Sequence, residues 1–274
     1  MRGARAAYIA DMTNDNVVHI SGVDKSYRLG RVAVPALRDV TLDIARGEFL
    51  ALAGPSGSGK TTLLNLIGCI DKPERGRVVI DSVDTSAVPL HRLASLRRDT
   101  LGFVFQTFNL IPVLTAWENV EYPLLLKNVP LAERKRRVRN WLEQAGIAEQ
   151  AKQRPDQLSG GQRQRVAIAR AMAGEPKLVV ADEPTANLDS ETATHILDLL
   201  AGINERTGCT FVFSTHDPSL IARAQRVVRI KDGRIEGQVD SWRLAVGGSS
   251  ADVAATSSTD NRQPPTANVR GALA

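Results

Sequence analysis

Short runs of β-branched and aromatic residues alternate along the chain with stretches whose apolar positions recur every three or four residues. That alternation predicts a parallel sheet covered by helices. Four of the β-rich runs stop abruptly at a polar residue or a Gly-rich turn: FLALAG at Gly54, LGFVFQ at Gln106, KLVVAD at Asp182 and FVFSTH at His216. Ligands of open α/β sheets bind beyond the carboxyl ends of the strands, so side chains past these four ends are expected to converge on one site. Residues 17–23 and 40–44 alternate in the manner of antiparallel strands, and RVVRI-KDG-RIEGQV predicts a hairpin turning at Asp232-Gly233. Residues 114–157, containing LAERKRRVRNWLEQAG, are a run of helical patterns between the second and third ligand-facing strands. They predict an inserted helical subdomain of about residues 107–172.

Both flanks break this pattern. Residues 1–16 and 243–274 are poor in large apolar side chains and, from Gly247 onward, rich in Ser, Thr, Ala, Gly and Pro. They cannot bury enough surface to offset the entropy of ordering, and are expected to be disordered. The whole chain has 274 residues, 43% hydrophobic and 24% charged, which excludes a fibrous or wholly disordered protein. Thirty-five Lys and Arg against 30 Asp and Glu give a net charge of +5. This excess suits an anionic ligand, nucleic acid or a membrane surface without choosing among them. Cys69 and Cys209 lie outside metal-ligand spacing and read as small buried apolar residues, with neither a disulfide nor a zinc site expected. The N-terminal apolar run is too short for a signal peptide and no stretch approaches the ~18 apolar residues of a membrane span, so a soluble cytoplasmic protein is expected.

Chemistry concentrates after the first of the four strands. Gly54, Pro55, Ser56, Gly57, Ser58, Gly59, Lys60 and Thr61 spell GxxxxGK[ST] between a strand and the helical pattern TTLLNLIGC, which begins at Thr61 and Thr62. Glycines let successive backbone N–H groups curl around phosphates, and the helix N-terminus adds its positive dipole end. Lys60 would neutralise the β and γ phosphates, and the Thr61 hydroxyl would ligate Mg²⁺. KLVVADEP places Asp182 where a phosphate-bound metal must sit, with Glu183 next as general base for an attacking water. A second anion site is suggested by Leu158-Ser159-Gly160-Gly161-Gln162, which opens the helical pattern RQRVAIARAMAG. Ser159 and Gln162 stand three apart as in a capping box. A cap alone does not require two glycines in a first helical turn, where each costs about 1 kcal/mol relative to Ala.

The order GPSGSGKT, Gln106, LSGGQ, LVVADEP, NLD and His216 resembles the ATP-binding subunit of ABC transporters over about residues 17–240. The resemblance implies an α/β fold: a P-loop NTPase core with a mainly parallel sheet, an N-terminal antiparallel β subdomain and an inserted helical subdomain, together spanning about residues 17–242. It implies ATP and Mg²⁺ as cofactors, ATP hydrolysis, and two copies paired head to tail so that LSGGQ of one closes over the ATP held by the other. Within that family's pattern Tyr27 corresponds to the aromatic that stacks on adenine, Gln106 to the glutamine touching Mg²⁺ or the lytic water, Asp189 of NLD to an interface contact, and His216 to the histidine reaching the γ-phosphate. Ala186 stands before NLD where close relatives often have Gly.

HRLASLRRDTLGFVFQTFNLIPVLTAWENVEYPLLL resembles the subgroup that powers lipoprotein release, macrolide export and related mechanotransmission complexes, although amino-acid uptake ATPases share much of it. The resemblance implies an integral membrane permease subunit as partner, received by a groove to which Phe105, Phe108, Leu110, Ile111 and Leu114 would contribute. A regulatory ABC module that moves no substrate fits the same motifs. An ABC ATPase of ribosomes or DNA fits less well, for this chain lacks the second cassette, coiled-coil insertion and zinc-binding cysteines usual there. Arg134-Lys135-Arg136-Arg137 and Arg139 read as a solvated helix face, with no nucleic-acid partner expected, since no aromatics interleave.

Overall fold

A computed structural model describes residues 15–30 and 32–240. The C-terminal tail of residues 243–274 and most of the N-terminal flank lie outside the described residues. Asn16, expected in a disordered flank, instead opens the first strand and pairs with Ala45.

Two sheets form the frame. β1 (Asn16–Leu29), β2 (Val32–Ala45), β4 (Arg75–Ile80) and β5 (Val83–Asp84) make an antiparallel sheet in the order β2-β1-β4-β5. The second sheet has the order β10-β9-β3-β8-β7-β6, from β3 (Phe49–Ala53), β6 (Leu101–Phe105), β7 (Leu178–Asp182), β8 (Thr210–Thr215), β9 (Arg226–Lys231) and β10 (Arg234–Asp240). Neighbours from β9 through β6 run parallel, and β10 returns antiparallel to β9. The turn between them holds Asp232 at φ 48° and Gly233 at φ 76°, the left-handed pair that a tight hairpin needs.

The parallel strands read as continuous apolar runs because both faces of their sheet are buried. Phe49, Ala51, Val179, Ala181, Phe211 and Phe213 face one core, and Leu50, Leu52, Leu178, Val180 and Val212 face the other. The second core lies against the antiparallel sheet and α1 (Lys60–Ile67), which contributes Leu63, Leu64, Leu66 and Ile67. In the first core Phe49 packs with its ring centroid 4.4 Å from that of Phe213. α6 (Ser190–Thr207) covers this face with Ile196, Leu197, Leu200 and Ile203, and α7 (Pro218–Arg223) adds Leu220.

α3 (Ala116–Leu126), α4 (Leu131–Gln144) and α5 (Gly160–Ala173) join the same core through Val120, Leu124, Val138, Leu142 and Ile168. α2 (Leu93–Thr100) precedes β6. Thr115 starts α3 with a reciprocal cap, its hydroxyl accepting from Glu118 N and its backbone N–H donating to the Glu118 carboxylate. Among the described residues no helix is long and apolar enough to cross a membrane. Cys69 and Cys209 are both buried, as read from the sequence.

Candidate active site

Strand register alone brings the four strand ends together. Ala53 lies opposite Thr215, and Asp182 lies opposite both Phe105 and Ser214. The residues just beyond, Gly54, Gln106, Glu183 and His216, therefore emerge at one edge of the sheet. There they line a cavity of about 620 Å³ together with Ala36, Pro55, Ser56, Gly57, Gly59, Lys60, Thr61, Thr62 and Asp182.

The glycine loop is shaped by close approach. A Cβ on Gly54 would lie 2.1 Å from the Ile230 carbonyl oxygen, and one on Gly59 2.5 Å from that of Ala36. Gly59 also enters α1 at φ 107°, a conformation L side chains rarely adopt. Lys60, only 8% exposed, donates to the Gly54 and Pro55 carbonyls at 2.8 and 3.0 Å, so its charge is held inside the loop that an anion would enter. Ser58 is placed differently: it is 3% exposed and does not line the cavity.

Thr61 Oγ1 donates to Asp182 Oδ1 at 3.4 Å, and the Ser214 hydroxyl donates to the same carboxylate oxygen. These oxygens, with Gln106 on the same wall, form a hard donor set of the kind Mg²⁺ takes. Glu183 sits in the left-handed region at φ 46°, its N–H shared between the Ser214 carbonyl and hydroxyl. Its carboxylate meets His216 Nδ1 at 2.9 Å, with His216 74% exposed and Glu183 only 18%. Such a carboxylate, braced by its own strained turn and open to the cavity, can orient or deprotonate a water.

Other predicted residues lie off the cavity. Tyr27, 42% exposed, donates its hydroxyl to Asp71 at 3.0 Å. Burial raises its pKa and Asp71 adds to the rise, while a hydrogen bond with Thr62 opposes it and places the ring beside the start of α1. Ser159 and Gln162 cap α5 reciprocally, with Gln162 N donating to Ser159 Oγ at 3.2 Å and Ser159 N to Gln162 Oε1 at 2.8 Å. Gly161 has a packing reason as well, because a Cβ there would fall 2.4 Å from Thr192 Cγ2 on α6. Asp189 caps α6 by accepting from Thr192 N at 2.9 Å, and that backbone bond lowers its carboxyl pKa. Within one chain neither Ser159–Gln162 nor Asp189 reaches the phosphate cavity.

Several residues that brace the site did not stand out in the sequence. Asn119, fully buried, accepts from Ile111 N and donates to the carbonyls of Ile111, Leu114 and Thr115, pinning the segment after Gln106. Arg170 donates to the Phe108 and Asn109 carbonyls, and burial pushes its pKa down to about 10. Thr185 Oγ1 donates to Asp217 at 3.2 Å. Asn119 and Arg170 leave a signal, a polar residue on a helical stripe that is otherwise apolar, as Asn119 is between Ala116 and Val120; Thr185 lies in a turn and leaves none.

A second cavity of about 450 Å³ is lined by Phe103, Phe105, Tyr122, Pro123 and Leu126, with Arg97, Arg98 and Arg170. Phe105, one of the residues expected in a partner groove, lines this cavity. Phe108 does not: it is 9% exposed, its backbone turns at φ 63°, and the Arg163 guanidinium lies 5.0 Å from its ring centroid. Leu110 packs partly against the core, while Ile111 and Leu114 are half-buried. The basic run is partly paired, Arg134 with Glu121 and Arg137 with Glu133 and Glu175.

The sequence profile of the ABC transporter family matches residues 37–186. An uncharacterised ABC transporter ATP-binding protein of Thermotoga maritima is 48% identical over 221 residues, 81% of this chain and 94% of that protein. A macrolide export ATP-binding/permease protein of Syntrophobacter fumaroxidans is 45% identical over 223 residues, 81% of this chain but 31% of that longer protein. Among solved structures, a dimeric ATP-binding cassette of Methanocaldococcus jannaschii, bound to ADP and Pi in a post-hydrolysis state, superposes with a TM-score of 0.77. It is 46% identical, covering 82% of this chain and 98% of that one. Fold, cavity and relatives agree: the chain belongs to the ABC transporter family and is an ATP-binding, ATP-hydrolysing subunit of that kind.

Proposed function

We propose that two copies of this chain pair head to tail around two ATP molecules, hydrolyse them, and pass the resulting motion to a separate integral membrane permease subunit. The observation that carries this reading is the separation of the two anion-binding helix ends. Lys60 and Glu183 line the cavity and Ser159–Gln162 do not, so a nucleotide in one chain lacks the second helix end unless another chain supplies it. The dimeric cassette of M. jannaschii supports the same pairing.

In this reading the backbone of residues 54–59 and Lys60 hold the β and γ phosphates, and Tyr27 stacks on the adenine. Thr61, Asp182 and Gln106 would hold Mg²⁺, which when bound supplies positive charge where the phosphoryl group transfers. Glu183 orients and deprotonates the attacking water, and His216, bonded to that carboxylate, reaches the γ-phosphate. Asp189, at the start of α6, contributes at the copy-to-copy interface.

The cavity formed by Phe103, Phe105, Tyr122 and Leu126 would receive the permease subunit. Residues 17–242 work as the ATP-binding domain and residues 107–172 as the helical part turned toward that partner. This places the chain on the cytoplasmic face of a membrane. Similarity to the macrolide export protein supports export, lipoprotein release or mechanotransmission as the process driven. Glu183→Gln tests the chemistry. ATP binding is expected to remain while turnover falls at least ~100-fold, the scale of a general base. Parental turnover in that variant overturns the assignment.

A further inference from the structure

We infer that Gln164 is a positioning residue for hydrolysis, holding the Glu183–Pro184 turn to the helix that carries Ser159–Gln162. The inference rests on the role proposed for Glu183. Gln164 lies one turn into α5 and is fully buried. Its Nε2 donates to the Pro184 carbonyl at 2.6 Å, while its Oε1 has no partner among the described residues. The orientation of the amide is fixed, because a flipped Oε1 would face a carbonyl oxygen.

Packing alone does not call for this residue. Gln164 shares its stripe with Ala167, Ile168 and Ala171, where an apolar side chain of similar shape would avoid burying an unpaired amide oxygen. What the amide supplies is one donor at one place, the residue after Glu183. Glu183 itself is strained at φ 46°, and the turn is also anchored by the Ser214 bonds to Glu183 N, the Ala186 N–H donated to the Glu183 carbonyl, the His216–Glu183 bond and the Thr185–Asp217 bond. Gln164 is thus the fastening that reaches this turn from α5. A shift of α5 as its N-terminus meets the second copy's nucleotide would be delivered, through the Nε2 bond, to the backbone that aims the Glu183 carboxylate.

The test compares the full chain with Gln164→Met and Gln164→Glu, measuring kcat, KM and ATP affinity from pH 6.5 to 9, with Glu183→Gln alongside. Gln164→Met keeps the shape without the donor, and kcat is expected to fall at least tenfold with ATP affinity and KM within twofold. A glutamic acid buried here is pushed up in pKa and, while protonated, donates as the amide does. Gln164→Glu is therefore expected to stay within twofold of the parent at pH 6.5 and to lose tenfold or more by pH 9, a decline the parent lacks. The proposal is overturned if Gln164→Met retains parental kcat, if Gln164→Glu follows the parent's pH profile, or if either variant fails to melt cooperatively at pH 6.5, which would assign Gln164 to stability alone. Full turnover by Glu183→Gln would instead remove the reading on which the proposal rests.

Discussion

Single residues in this chain carry conformations and environments that their neighbours alone would not produce. Glu183 is the clearest, a non-glycine at φ 46° kept there by Ser214, and such strain persists only where surrounding structure fixes it. The two thiols show the converse, groups silenced by their surroundings. Burial raises Cys69 to about 11, with Arg97 opposing, and Cys209 to about 12. In an unfolded chain thiols ionise near 8.5. The folded state keeps protons the unfolded state releases, so this contribution to stability is full below about pH 8.5 and is lost as pH rises toward 11 to 12. Urea midpoints are expected to decline through that window, and neither thiol should react with iodoacetamide at pH 8 before unfolding. Alkylation of the native protein at the rate of a free thiol contradicts this.

At the scale of elements, β6 runs into a segment that places Gln106 at the first cavity and Phe105 at the second. Asn119 holds that segment with one side chain and four hydrogen bonds. Asn119→Ala leaves the half-buried Ile111 N–H and Leu114 carbonyl without their partner, while the Ile111 and Thr115 carbonyls keep backbone donors; at about 1–3 kcal/mol each, a loss of about 3 kcal/mol is expected by urea denaturation, with faster amide exchange at residues 108–115. A parental midpoint with unchanged exchange rules out that role. The four ligand-facing strand ends, the GxxxxGKT turn and the Asp232-Gly233 hairpin are all legible from sequence, because each couples a local periodicity to a residue type that its backbone demands. β4 is not: in RGRVVI only the last three residues are buried, too few to show alternation. Phe108 escapes for a related reason, since its burial under Arg163 follows from a left-handed turn that no pattern of apolar positions marks. Gln164 and Asn119 were visible only as polar breaks in apolar stripes, and their partners lie 20 residues away and across a loop, respectively.

At the scale of the whole molecule, the two helix ends proposed to meet ATP lie in two separate places. One carries Lys60, Thr61, Asp182, Glu183 and His216 at the ends of parallel strands; the other is the capped start of α5, packed on α6 through Gly161 and Thr192. The proposed ATPase cycle joins them across two copies. The most direct measurement is the mass of Glu183→Gln in solution by light scattering, with and without Mg-ATP, beside the same variant carrying Ser159→Arg. Head-to-tail pairing predicts a dimer for Glu183→Gln only when ATP is present, and a monomer in both conditions once Ser159 is replaced. A Glu183→Gln chain that binds ATP and stays monomeric, or a dimer indifferent to Ser159→Arg, would contradict it.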